Sequence, residues 1–123
     1  MLQIDPASPV AINDQIKAGL KGLVARGLLQ PGDEAPSVRA LAASLKVNPN
    51  TVARALRELA LEGFLDTRRG EGSVVAEDAV KRAKDGLRDA RGLLLEALRL
   101  ARRGGLPWDE VDALIKECRK GER

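Results

Sequence analysis

Asn48-Pro49 is the tightest local constraint in this chain of 123 residues. Proline fixes φ and has no N–H, so it fits the first position of a helix and is costly inside one. Asn48 before it is a strong N-cap, because its side-chain oxygen accepts an orphan N–H of the first turn. A helix therefore starts here, and Gly63 stops it. Between them Val52, Leu56 and Leu59 recur at helical spacing and give one face to bury. Asn50, Thr51 and Arg54 stay near the N-terminal end on the other side. Taken alone, the stretch is also compatible with an ordinary amphipathic helix, and its flanks decide its meaning.

Upstream, Pro36 pushes Ala35 into an extended conformation and Ser37 can cap a helix running to Leu45. Val38, Leu41, Ala42 and Leu45 share one side of it. Lys46-Val47-Asn48 is then a three-residue connection. Two short helices joined by a tight turn, the second with small polar residues at its start, form a helix-turn-helix, whose second helix reaches base edges with its N-terminal residues. Arg39 sits in the first turn of the first of them, where a DNA backbone would pass.

Downstream, Phe64-Leu65-Asp66-Thr67 and Ser73-Val74-Val75 are short β-prone runs around a basic, Gly-containing connection, Arg68 to Gly72. By itself such a turn is a solvated loop. Directly after a helix-turn-helix it reads as the wing of a winged helix. At the other end, Pro9 to Arg26 forms the first helix, with Ile12, Ile16, Leu20, Leu23 and Val24 on one face. Lys17, Lys21 and Arg26 lie opposite as solvated charges, and Gly27 is the expected C-cap. Gly19 and Gly22 weaken this helix by roughly 1 kcal/mol each relative to Ala, so it depends on docking.

Composition excludes more than it selects. Phe64 and Trp108 are the only aromatic residues, so Leu, Ile, Val and Ala must build the core. No apolar run approaches the ~20 residues of a membrane span. The start, MLQIDPASP, lacks the basic and apolar regions of a signal peptide, which points to the cytoplasm. One cysteine, Cys118, and no histidine leave no intrachain disulfide and no zinc site. The same scarcity, with no phosphate-cradling glycine loop, leaves an enzyme without obvious parts. Neither a cofactor nor a metal is expected. Net charge is +3, with nine Lys/Arg against eight Asp/Glu through residue 76 and twelve against ten beyond it. That balance permits DNA binding without arguing for it, since phosphates respond to local charge.

Glu77 to Arg103 forms a long helix in which Val80, Ala83, Leu87, Ala90, Leu94, Ala97 and Ala101 make a heptad-like seam. Leu93, Leu95, Leu98 and Leu100 widen its apolar surface. Gly104-Gly105 breaks it, and Pro107 opens a further helix to about Lys120 that carries Trp108, Val111, Leu114, Ile115 and Cys118. Two helices cannot bury that much apolar surface between themselves. They either pack back on the first domain or pair with a second copy.

Residues from about 9 to 76 resemble the winged-helix domain of the GntR family of bacterial transcription regulators. The resemblance rests on Gln15-Ile16, Leu29-Gln30-Pro31-Gly32-Asp33, Pro36-Ser37-Val38-Arg39-Ala40-Leu41-Ala42, Thr51-Val52, Ala55-Leu56, Leu59, Glu62-Gly63 and Gly70-Glu71-Gly72. It implies DNA contacts at Arg39, Thr51 and Gly70. The family often has Arg where this chain has Pro49 and Ala53, and Asn48-Pro49-Asn50-Thr51-Val52 is similar instead to the YtrA-type subgroup. Base readout then falls to Asn50, Thr51 and Arg54, with Ser37 and Arg69 completing the DNA-binding set. Arg57 and Arg69 fit phosphate contacts and surface salt bridges equally well.

Short two-helix C-terminal segments of this subgroup resemble dimerisation modules, which favours a second copy over packing back. Leu87, Leu94, Leu98, Trp108 and Ile115 are then the contacts. The expectation is a mainly α chain with a small β-hairpin: a winged helix-turn-helix DNA-binding domain over 1–76 and a helical dimerisation module over 77–123. Its expected function is that of a homodimeric repressor binding double-stranded DNA at an inverted repeat. A winged helix used only for protein interaction is the alternative, but it would expose apolar residues where Arg39 and Asn50-Thr51 stand. The operator and any small-molecule effector are left open.

Overall fold

The computed structural model describes residues 2–68 and 72–120. In chain order they form α1 (Ile12–Ala25), α2 (Val38–Leu45), α3 (Pro49–Leu61), β1 (Leu65–Arg68), β2 (Gly72–Val75), α4 (Ala79–Arg103) and α5 (Trp108–Lys120). The expected class holds: mainly helical, with one antiparallel hairpin and a two-helix C-terminal segment. Two compact units emerge, Met1–Lys84 and Asp85–Arg123.

In the first unit, glycine-terminated helices turn the chain back on itself. Gly27 follows α1 with φ +78°, and Leu28 N–H donates to Leu23 C=O at 2.9 Å. Gly63 does the same for α3 with φ +85°, and Phe64 N–H reaches Leu59 C=O at 2.9 Å. Both satisfy carbonyls that the helix end leaves orphaned, in the left-handed conformation glycine adopts without strain. The second stop swings Phe64 and Leu65 inwards, so the core continues from α3 into the hairpin.

That core is aliphatic. Ile16, Leu20 and Val24 of α1 meet Leu41 and Ala42 of α2, Val52, Ala55 and Leu59 of α3, and Phe64, Leu65 and Val75 around the hairpin. Ile16, Val52, Leu59 and Val75 are its largest fully buried side chains. Leu56, expected on the buried face of α3, packs at its margin, and Ala55 takes the central place. Ala79 and Ala83 of α4 are buried in the same cluster, so the N-terminal unit runs past Ala76 and takes in the first turns of α4. Two alanines four residues apart present a smooth helix face that docks closely.

β1 and β2 pair from Leu65↔Val75 to Arg68↔Gly72. A third edge joins them, with Glu34 bridging Val74. Ala35 N–H donates to Ser73 C=O at 2.9 Å, and Val75 N–H to Asp33 C=O at 2.8 Å. The segment after α1 therefore leads into a strand-like stretch that ties α2 to the hairpin.

The segment before α1 is also engaged. Gln15 accepts the Asp5 N–H at 2.8 Å and donates to the Asp5 and Val10 carbonyls, both at 2.9 Å. Leu2 lies directly over Gly19. Gly19, which only weakens the helix by propensity, is thus the seat for an apolar side chain; Gly22 has open space around it.

In the second unit the remainder of α4 ends at Gly104 and Gly105, where φ is +98° and Leu106 N–H donates to Ala101 C=O at 2.9 Å. Arg102 braces this corner: its Nη1 donates to Leu106 C=O at 2.8 Å, and its guanidinium stacks 4.6 Å from the Trp108 ring centroid. Val111 is buried, and Leu98 is half-buried. Leu87, Leu93, Leu94, Leu95, Leu100, Trp108, Leu114 and Ile115 are between 46 % and 73 % exposed.

Candidate nucleic-acid interface

The α2–α3 pair is built by its caps. Ser37 Oγ accepts the Ala40 N–H at 3.1 Å, which starts α2 and leaves the hydroxyl proton able to donate outwards. α2 ends at Lys46, a left-handed residue with φ 58° and ψ 47°, and Val47 N–H closes the turn on Ala42 C=O at 3.1 Å. Asn48 Oδ1 accepts the Asn50 N–H at 2.8 Å, and Pro49 takes the first helical position. The three-residue connection is therefore real, and Asn48 is committed to capping.

Burial then sorts α3 by side. Val52, Ala55 and Leu59 face the core with at most 1 % exposed. Asn50, Arg54 and Arg57 face solvent, and Thr51 is half-buried between the two sides. Arg39 and Pro49 both line one open depression between α2 and the start of α3, together with Val38, Ala42, Ala43 and Val47. Ser37, Arg39, Asn50, Thr51 and Arg54 thus belong to one helix-turn-helix. Arg69 and Gly70 lie outside the described residues. Arg68, at the end of β1, is exposed.

Electrostatics separate the cations of this unit into two groups. Lys17 and Lys21, expected as solvated charges, are instead paired across the α1–α3 packing. Lys17 Nζ bridges Glu58, at 3.3 Å, and Glu62, and Lys21 Nζ lies 2.8 Å from Glu62. The Lys17 side chain is only 15 % exposed. The hydrogen bond to Glu62 outweighs desolvation and holds the Lys17 ammonium above its ordinary pKa. Burial pushes Glu58 and Glu62 up, but the Lys17 hydrogen bond, joined by Arg54 for Glu58 and Lys21 for Glu62, brings both below the usual carboxylate value. Arg39 and Arg57, by contrast, have no ion-pair partner among the described residues.

Sequence reasoning missed two residues here. Glu58 accepts from Arg54 Nε at 3.2 Å, and Asn13 Nδ2 of α1 donates to the same carboxylate oxygen at 2.9 Å. The i, i+4 spacing of Arg54 and Glu58 carries a signal for the first contact. Nothing local marks Asn13.

A three-residue turn between capped helices, an outward polar tip on the second and a β-hairpin behind it together define a winged helix-turn-helix. The chain belongs to the gntR family of bacterial regulatory proteins, whose model matches residues 12–75. It is 47 % identical over 79 residues to the HTH-type transcriptional repressor YtrA of Bacillus subtilis, an alignment covering 64 % of this chain and 61 % of that repressor. Among solved structures, YtrA from Sulfolobus acidocaldarius, a GntR-family transcription factor, is 36 % identical with a TM-score of 0.60, over 76 % of this chain and 97 % of that one. The DNA-binding domain of AraR, solved in complex with operator ORX1, is 25 % identical with a TM-score of 0.54, over 61 % of this chain and 93 % of that one. The two YtrA likenesses extend the resemblance to the YtrA-type subgroup beyond the Asn48–Val52 stretch.

Proposed function

We propose that this chain is a sequence-specific DNA-binding transcription regulator, a repressor that binds an inverted-repeat operator as a homodimer. The observation that carries the reading is the partition of α3, with an apolar side locked in the core and Asn50, Thr51 and Arg54 left at the outer end. In this assignment residues 1–76 supply DNA binding. Arg39 and Ser37 hold the phosphate backbone, and Asn50, Thr51 and Arg54 discriminate bases. Arg69 and Gly70 complete the proposed DNA-binding set. Support also comes from the family and from the AraR domain, which was solved on an operator.

The part of residues 77–123 beyond the first turns of α4, which the N-terminal unit buries, supplies dimerisation. The exposed apolar side chains from Leu87 to Ile115 motivate this, because so much contiguous apolar surface on two helices calls for a partner. A second copy meets that demand and matches the two-fold symmetry of an inverted repeat. The regulator acts on double-stranded DNA in the cytoplasm; among the described residues no helix is long and apolar enough to cross a membrane.

Selection of duplexes from a random pool tests the whole reading. Enrichment of one palindrome, bound by a dimer in light scattering, is the expected result. Recovery of a pool with no preferred sequence overturns it.

A further inference from the structure

The Glu58 carboxylate is engaged on both oxygens. Oε2 accepts from Arg54 Nε at 3.2 Å and from Asn13 Nδ2 at 2.9 Å, while Oε1 accepts from Lys17 Nζ at 3.3 Å. Arg54 lies one turn past Asn50 on the exposed side of α3. A free arginine on such a surface samples many rotamers, and ordering it on binding offsets part of what its contacts contribute. Here the side chain is tethered at Nε by Glu58, one turn further along the helix. Its Nη pair stays available, and that pair can supply the parallel N–H groups a guanine O6/N7 edge accepts.

We propose that Glu58 is a positioning residue for operator specificity: braced by Asn13 and Lys17 of α1, it holds Arg54 in the pose in which its Nη pair reads a guanine. The inference rests on the DNA-binding reading of α3 above. The chemistry fits no other use of Glu58 as well. A carboxylate can read cytosine directly by accepting from its N4 amino group, but both oxygens of Glu58 already have donors. The brace also makes α1 part of the specificity apparatus, although α1 carries none of the residues assigned to DNA contact. Asn13 matters most in this respect, since Lys17 has Glu62 as a second partner and Asn13 has Glu58 alone among the described residues.

The experiment titrates the full chain with the duplex selected by the wild type and with a set of its single-base variants. Arg54→Ala identifies the base pair that Arg54 reads, as the one position where discrimination falls, by about five- to a hundredfold. Glu58→Ala and Asn13→Ala are then measured on the same set, alone and combined with Arg54→Ala. Both should lower discrimination at that base pair, Asn13→Ala the less, and leave it intact elsewhere. Neither should lower it further once Arg54 is gone. Circular dichroism shows each variant folded, and Asn13→Ala keeps the test open if Glu58→Ala is not.

Unchanged discrimination in folded Glu58→Ala or Asn13→Ala, beside a clear loss in Arg54→Ala, overturns the positioning role and leaves the DNA reading standing. A loss spread evenly over all sequences, or one that persists without Arg54, overturns it too, in favour of a purely structural brace. If Arg54→Ala discriminates as the wild type does, Arg54 is not a base contact, and the inference falls with that assignment.

Discussion

Arg82 closes over Gly63. Its Nη1 donates to the Glu62 carbonyl at 3.3 Å, and a Cβ built on Gly63 would lie 2.9 Å from its guanidinium carbon. Asp78 holds the same guanidinium at Nε, 3.0 Å away. The end of α3 is therefore capped by a charge from the first turns of α4, and a side chain at position 63 would have to push the flexible guanidinium end aside. Gly63→Ala meets two penalties at once, a left-handed φ of +85° and displacement of Arg82. Destabilisation by about 1–2 kcal/mol is expected from the backbone alone, read as a lower urea midpoint with an unchanged slope.

Lys46 presents the reverse case. It occupies the left-handed region with a full side chain, at φ 58°. Lys46→Gly should raise stability by about 1 kcal/mol, because the steric cost disappears and exceeds the entropy glycine adds to the unfolded chain. Thermal melting checks this. A lower Tm would mean that the Lys46 stem packs usefully.

Acid should weaken the α1–α3 packing. Glu58 and Glu62 titrate below their ordinary value near 4.5, so the stability they confer is complete above that value and is lost as pH falls through their lowered values. Lys17 has the opposite sense: its contribution is complete below 10.5 and is lost as pH rises through its raised value. Lys17→Met removes the shared partner. Its stability, measured in urea from pH 7 down to pH 3, should fall less steeply than the wild type's. Parallel curves would refute the linkage.

Leu94 is 61 % exposed in the seam of α4. Leu94→Glu should give a monomer by light scattering with helical content kept, because the N-terminal core does not include this residue. A buried unpaired carboxylate costs several kcal/mol, more than a modest dimer interface can absorb. Binding to a full palindrome should drop ~10²–10⁴-fold with half-site binding little changed, as expected when intramolecular engagement is lost. A wild-type chain that is monomeric at micromolar concentration removes the dimer from the proposal.

Much of this fold was legible because its helix ends are written in single residues. Ser37, Asn48-Pro49, Gly27, Gly63 and Gly104-Gly105 each impose a local geometry no other segment can override cheaply. What could not be read is non-local. The Glu34–Val74 bridge uses Asp-Glu-Ala, residues with little strand preference, and exists only because the hairpin offers an edge. Lys17 and Lys21 look solvated along their own helix, since their partners stand 41 residues away. Asn13 and Glu58 are 45 residues apart, and no pattern in either helix announces the pair. In the candidate site, exposure and capping were legible, and the bracing behind it was not.

The cap at Asn48 has a further consequence, for divergence. One asparagine and one proline start the helix, and neither needs help from the side chain of Asn50, which is exposed and makes no hydrogen bond of its own among the described residues. Surface substitutions away from caps and core usually shift stability by less than ~0.5 kcal/mol. Copies of such a chain can therefore exchange the residue at position 50 with the scaffold unaffected. With Asn50 reading a base as proposed, paralogues with new targets are separated by a few neutral steps, not by a passage through unfolded intermediates.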